Sequence, residues 1–198
     1  GGMLTTNNET IWRKAWAFKD HGKSYEAVYE REHDNTYRWL HESFGTNWRL
    51  TEMQSAIGRF QLKQMNDWTA KRNAYAKRIL QTCQQFDFLH VPEVPSDIQH
   101  AFYKCYVFVE PAKLPSGLTR DSIIAKITAQ GVPCYSGSCS EVYKEKAFDN
   151  TPFRPENALP NALALGDTSL MFLVHPTLTS EEIEKTVSVI EKVLKSVN

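Results

Sequence analysis

The sequence predicts a mixed α/β chain, with a small sheet in its C-terminal half and helices packed on one face of that sheet. Three observations carry this. Residues 101–198 read in the order strand, helix, strand, strand, helix, which suits a small sheet layered with helices. Two capping boxes, Thr51 with Gln54 and Thr179 with Glu182, each open an apolar stripe of helical period. A proline-rich stretch, HVPEVPSDIQH at 90–100, marks a shift of composition between the two halves.

Each element follows from its residues in turn. Residues 3–6 read as a short strand. Asn7 or Asn8 caps a helix through ETIWRKAWAFKD, with Trp12, Ala15, Trp16 and Lys19 on one stripe and Gly22 just past the end. Residues 23–43 have no clean period and read as an irregular excursion with at most one helical turn. A loop of that length in a compact chain is usually functional or part of an interface. Thr51 then opens a long helix, with Met53, Ile57, Phe60, Trp68, Tyr75 and Ile79 recurring along it. It runs to about Cys83, with NDW at 66–68 as the place for a bend. At 1.5 Å per residue it would span about 48 Å, enough to leave one domain and enter another. After the proline-rich stretch, AFYKCYVFV alternates at Phe102, Lys104, Tyr106 and Phe108 and reads as a strand. Thr119 caps a helix that Gly131 closes. VPCY is a short strand, SEVYKEKAF a turn or short helix, and SLMFLV a buried strand. The final helix carries Ile183, Val187, Ile190 and Leu194 inward.

Composition excludes several function classes. The 198 residues suit one domain, or one small domain with part of another. Lys+Arg and Asp+Glu number 23 each, with no block of like charge, so neither nucleic acid nor an anionic membrane is expected as main partner. No apolar run reaches the ~18 residues of a membrane span. The four cysteines form no CxxC pair and have no Cys/His partners at zinc spacing, so no metal site is expected. Scattered thiols suit a reducing cytoplasm. His33, His41, His90 and His100 show no ligand spacing. No P-loop, GxGxxG, GxSxG or HExxH motif is present.

The candidate chemistry is local. Asn47 and Arg49 stand just before the helix opened by Thr51, where the helix dipole and free N–H groups favour an anion such as phosphate. The competing reading is a turn asparagine and a solvated arginine, and on local grounds that reading comes first. His21 falls in a last helical turn, and His175 in a strand-to-helix turn before Pro176. Both are explained structurally. The loop SGSCSE at 136–141 offers hydroxyls and backbone donors, or is a plain turn. Its Cys139 has no neighbouring base in sequence.

The stretch GTNWRLTEMQSAIGRFQL at 45–62 closely resembles the signature G-x-N-[YW]-R-[ML]-[TS]-E-[LM]-Q-[AS]-A-[IL]-G-x-x-Q-L. That is the signature of the DegT/StrS family of pyridoxal-phosphate-dependent sugar-nucleotide aminotransferases. GGMLTTNNE, FKDHGKS, VYKEKAF and FLVHPTLTSEEIEKTVSVI resemble further family segments in the same order. The resemblance covers essentially the whole chain and is weakest at 23–43 and 136–165.

The resemblance implies the C-terminal part of a fold-type-I transferase. Residues 1–50 would end the large cofactor domain, 51–84 would be the long connecting helix, and 85–198 the small α+β domain. The family's Schiff-base lysine lies upstream of the GG segment, so no catalytic residue is assigned within the chain, and the chain alone is expected neither to retain pyridoxal 5′-phosphate nor to transaminate. Asn47 matches the asparagine that bonds the cofactor phosphate of the neighbouring subunit. Arg49 matches an arginine near the substrate's nucleotide or sugar. Tyr143 stands where many members have a histidine close to the sugar, and His21 sits in the segment at the active-site mouth. The implied parent is a cytoplasmic homodimer with shared active sites. It would convert a nucleotide-linked keto-sugar to an amino-sugar with an amino-acid donor, in cell-surface polysaccharide or related sugar synthesis. A sugar dehydratase on the same scaffold and a non-catalytic dimerisation module remain alternatives.

Overall fold

The computed structural model describes residues 2–196. The chain divides into two compact units, 1–64 and 65–198.

The first unit holds two helices, α1 (Glu9–Lys19) and α2 (Glu52–Leu62), joined by the long excursion. Asn8 caps α1 by accepting from the Ile11 N–H, and Thr51 and Gln54 form the expected capping box on α2. The excursion contains a π-helical turn, Glu26–Glu30. It is tied to α1 by aromatic rings: Tyr25 lies 5.1 Å from Trp12 and 5.3 Å from Trp16 between ring centroids. Residues 3–6 form no strand. Met3 and Leu4 are exposed, and an extended segment without a neighbour to share its N–H and C=O groups is not held as a strand.

The helix expected from Thr51 to Cys83 is in two pieces. Lys63 and Gln64 form a turn between α2 and α3 (Met65–Cys83), ahead of the NDW stretch. The expected inner stripe divides with it. Ile79 is fully buried, whereas Met53, Ile57 and Phe60 are 78%, 63% and 64% exposed. These last three are therefore a surface stripe on α2.

The second unit is a four-stranded antiparallel sheet with helices. The strands are β1 (Leu89–His90), β2 (Cys105–Val109), β3 (Cys134–Tyr135) and β4 (Ser169–Phe172), in the order β1-β2-β4-β3. Cys105 pairs with Phe172 and Val107 with Leu170 across the central strands. Helix α4 (Arg120–Ala129) lies against β3, β4 and α6 (Ser180–Lys195), and α3 lies against β2 and α6. Cys105, Val107 and Val109 face these helices, together with Ile79, Ile123, Ile127, Leu170 and Ile190. Tyr106 and Phe108, counted as an alternation in the sequence, take the opposite face of β2 with their rings stacked. The strand starts at Cys105 because Phe102 has a left-handed backbone, φ 43°, which interrupts extension. Helix α5 (Pro160–Thr168), which the sequence did not announce, begins with proline in its first turn and runs directly into β4. Arg78 clamps α3 to α6, donating to both carboxylate oxygens of Glu184 at 2.9 Å. Three cysteines share this core. Burial pushes the Cys105 and Cys134 thiols up to about 12 and raises Cys83 as well. Among the described residues, no helix is long and apolar enough to cross a membrane.

Candidate cofactor-phosphate site

The site is built where α1 ends. His21 and Gly22 take left-handed backbone in succession, φ 61° and 86°, and the Gly22 N–H donates back to the Ala17 carbonyl at 2.8 Å. Such an ending satisfies carbonyls that the last helical turn leaves free. A Cβ on Gly22 would meet the Ser43 carbonyl oxygen at 1.7 Å, so only glycine fits where the returning chain crosses. Gly45 is equally confined, with its would-be Cβ 2.4 Å from the Gly22 nitrogen.

This close crossing stitches the loop before α2 onto the end of α1. Thr46 N–H donates to Phe18 O at 2.7 Å, His21 N–H to Thr46 O at 3.1 Å, and Trp48 N–H to Lys19 O at 3.0 Å. Asp20 and Asn47 become antiparallel bridge partners. In extended chain, residues two apart share a side. Asn47 and Arg49 therefore project together, while Trp48 turns away and meets the Phe18 ring edge-on at 5.2 Å between centroids.

Arg49 is the hub. Its Nε donates to Asn47 Oδ1 at 3.1 Å, and its Nη2 lies 3.4 Å from His21 Nε2, which must then be the acceptor. Its Nη1 stands 3.2 Å from Asp20 Oδ1. That oxygen is buried and has no aligned hydrogen bond among the described residues, so the contact is ionic. The structure thus gathers three of the residues expected from sequence, His21, Asn47 and Arg49, and adds Asp20, which sequence reasoning missed. No local pattern marks a carboxylate as the partner of an arginine so far along the chain. Asn47 and Arg49 also line a groove of about 1200 Å³, with Trp12, Trp16 and Lys19 on its walls. Lys19 Nζ lies over the Trp16 ring at 4.3 Å.

Tyr143 belongs to the second unit and makes its contacts there. Its hydroxyl donates to Glu141 Oε1 at 2.5 Å and accepts from the Leu159 N–H at 3.0 Å. This bond, then that from Lys144, holds the Glu141 carboxyl below its ordinary range. The loop at 136–141 is pinned to the sheet. Ser138 N–H donates to the Tyr106 hydroxyl at 3.1 Å, Lys104 donates to Ser138 Oγ at 3.0 Å, and Ser169 Oγ donates to Ser136 O at 2.5 Å. Gly137 lies so close to the Tyr106 ring that a Cβ would approach it to 2.4 Å. His175 is held in its turn through Nδ1, 2.7 Å from Thr177 Oγ1.

The chain as a whole is similar to known proteins. A solved aminotransferase from Psychrobacter cryohalolentis is 59% identical and superposes with a TM-score of 0.87, over 98% of this chain and 51% of that one. The spore coat polysaccharide biosynthesis protein SpsC of Bacillus subtilis is 25% identical over 195 residues, which are 98% of this chain and 50% of that protein. The dTDP-3-amino-3,4,6-trideoxy-alpha-D-glucose transaminase of Streptomyces venezuelae is 23% identical over 162 residues, 82% of this chain and 40% of that protein. The chain spans about half the length, or less, of these relatives. A family model matches residues 1–192, which take in both the stitched loop and the strands of the sheet: the chain belongs to the DegT/DnrJ/EryC1/StrS aminotransferase family.

Proposed function

We propose that this chain is the C-terminal half of a pyridoxal-phosphate-dependent aminotransferase that turns a nucleotide-linked keto-sugar into an amino-sugar with an amino-acid donor. The family match supports the reaction class, and the sugar aminotransferases among the relatives support the substrate class. The working protein is a homodimer in the cytoplasm, a compartment in keeping with four free thiols.

The observation that carries the reading is the state of Asn47. Its Oδ1 is taken by Arg49, which leaves its NH₂ group to donate outward. A phosphate offers acceptors only, so this donor set fits the cofactor's phosphate, with the Arg49 charge alongside and the N-terminus of α2 close in sequence. Pyridoxal phosphate, when bound, supplies the electron sink that amino transfer needs. Asn47 holds the phosphate of the neighbouring subunit's cofactor. Arg49 and His21 face the substrate side of that contact. Tyr143, its hydroxyl already engaged twice, offers a sugar its ring.

Asn47→Ala in the full-length protein tests this. Loss of a hydrogen bond to a charged group predicts cofactor affinity about tenfold weaker or more. Unchanged affinity, read by absorbance on titrating the apo protein with pyridoxal 5′-phosphate, contradicts the assignment.

A further inference from the structure

We propose that Asp20 is a positioning residue for the phosphate contact of Asn47, acting through Arg49. The inference rests on the cofactor reading above.

Local helix physics gives no reason for a carboxylate at this position. Asp20 is the C-cap residue of α1, where the helix dipole disfavours negative charge. It is also only 7% exposed, and a buried carboxylate needs compensation. The compensation recorded for Oδ1 is Arg49 Nη1 at 3.2 Å.

The consequence follows from the shape of a guanidinium. It is planar and rigid, so drawing Nη1 toward Asp20 restricts the directions in which Nε can point. Nε then reaches Asn47 Oδ1 at 3.1 Å. That bond sets the sense of the Asn47 amide. A flipped amide would bring its NH₂ against the Nε–H, donor against donor. Asp20 therefore keeps the Asn47 NH₂ turned outward, and the backbone bridge between Asp20 and Asn47 holds both residues in register.

The opposite sign is expected if Asp20 were merely a counter-charge to Arg49. Removing it would then free positive charge and tighten the binding of an anion. The two roles separate in one assay: full-length apo protein titrated with pyridoxal 5′-phosphate and, separately, with unphosphorylated pyridoxal. The positioning role predicts that Asp20→Asn weakens binding of the phosphorylated ligand about threefold to tenfold, the worth of one hydrogen bond. Pyridoxal affinity stays the same. In an Asn47→Ala background the Asp20→Asn change adds no further loss. Tighter or unchanged binding by Asp20→Asn, equal loss for both ligands, or additive losses in the double variant would each overturn the proposal. Should Asp20→Asn fail to fold, Arg49→Lys keeps the charge and removes Nε. It is expected to show the same phosphate-specific, non-additive loss, and additive loss there overturns the proposal as well. If Asn47→Ala itself leaves affinity unchanged, the cofactor reading falls and takes this inference with it. If only Asn47→Ala weakens binding, the positioning role alone fails.

Discussion

At the scale of single residues, the end of α1 is governed by two glycines. Gly22 combines a left-handed φ of 86° with a carbonyl where a Cβ would sit, and Gly45 lies against the same crossing from the other side. Substituting Gly22→Ala must move the returning chain, which separates Asn47 from Asp20. We expect a loss of at least about 1–3 kcal/mol in the stability of the first unit. Amide exchange should report it as lost protection at Thr46 and Trp48, whose N–H groups make the stitching bonds. Unchanged protection there would show that the crossing tolerates a side chain. What was legible in the sequence at this scale was the residue types of the loop and their resemblance to a family signature. The physics of Asn47 and Arg49 alone did not distinguish a turn from a phosphate contact. Asp20 was not legible, because its partner is brought to it by a backbone bridge that no local spacing encodes.

At the scale of elements, the caps were the readable features. Thr51, Thr119 and Thr179 each accept from the N–H three residues on, and all three open helices where the sequence placed them. These are local interactions, so a local reading finds them. The break at Lys63 and Gln64 was not readable, since both are good helix formers. Strand β1 has two residues, too few to show a period. The left-handed Phe102 shortened β2 for a reason invisible in an alternating pattern. On α6 the cap and the core face can be weighed separately. Thr179→Ala removes the bond from the Glu182 N–H and should cost about 1 kcal/mol. Ile190→Ala, at a fully buried position, should cost about 2–5 kcal/mol. Urea unfolding followed by circular dichroism measures both, and comparable losses would contradict this division of roles.

At the scale of the whole molecule, the two units differ in how much they bury. The large apolar cluster lies entirely within the second unit. Among the described residues, the first buries Ala27 and leaves Trp39, Phe44, Met53, Ile57 and Phe60 exposed. That difference suits a chain spanning half of its relatives, and on the proposed reading the exposed side chains meet other parts of the dimer. The central claim is that Asn47 serves the cofactor of the neighbouring subunit. It is tested most directly by mixing two full-length variants, one carrying Asn47→Ala and the other lacking the cofactor lysine that the proposed reading requires, then allowing subunits to exchange. Each hybrid dimer then contains one site with both the lysine and the asparagine intact. Random exchange of equal amounts predicts tight cofactor binding and amino transfer at about a quarter of all sites. No recovery above the separate variants would show that Asn47 acts within its own subunit or not on the cofactor at all.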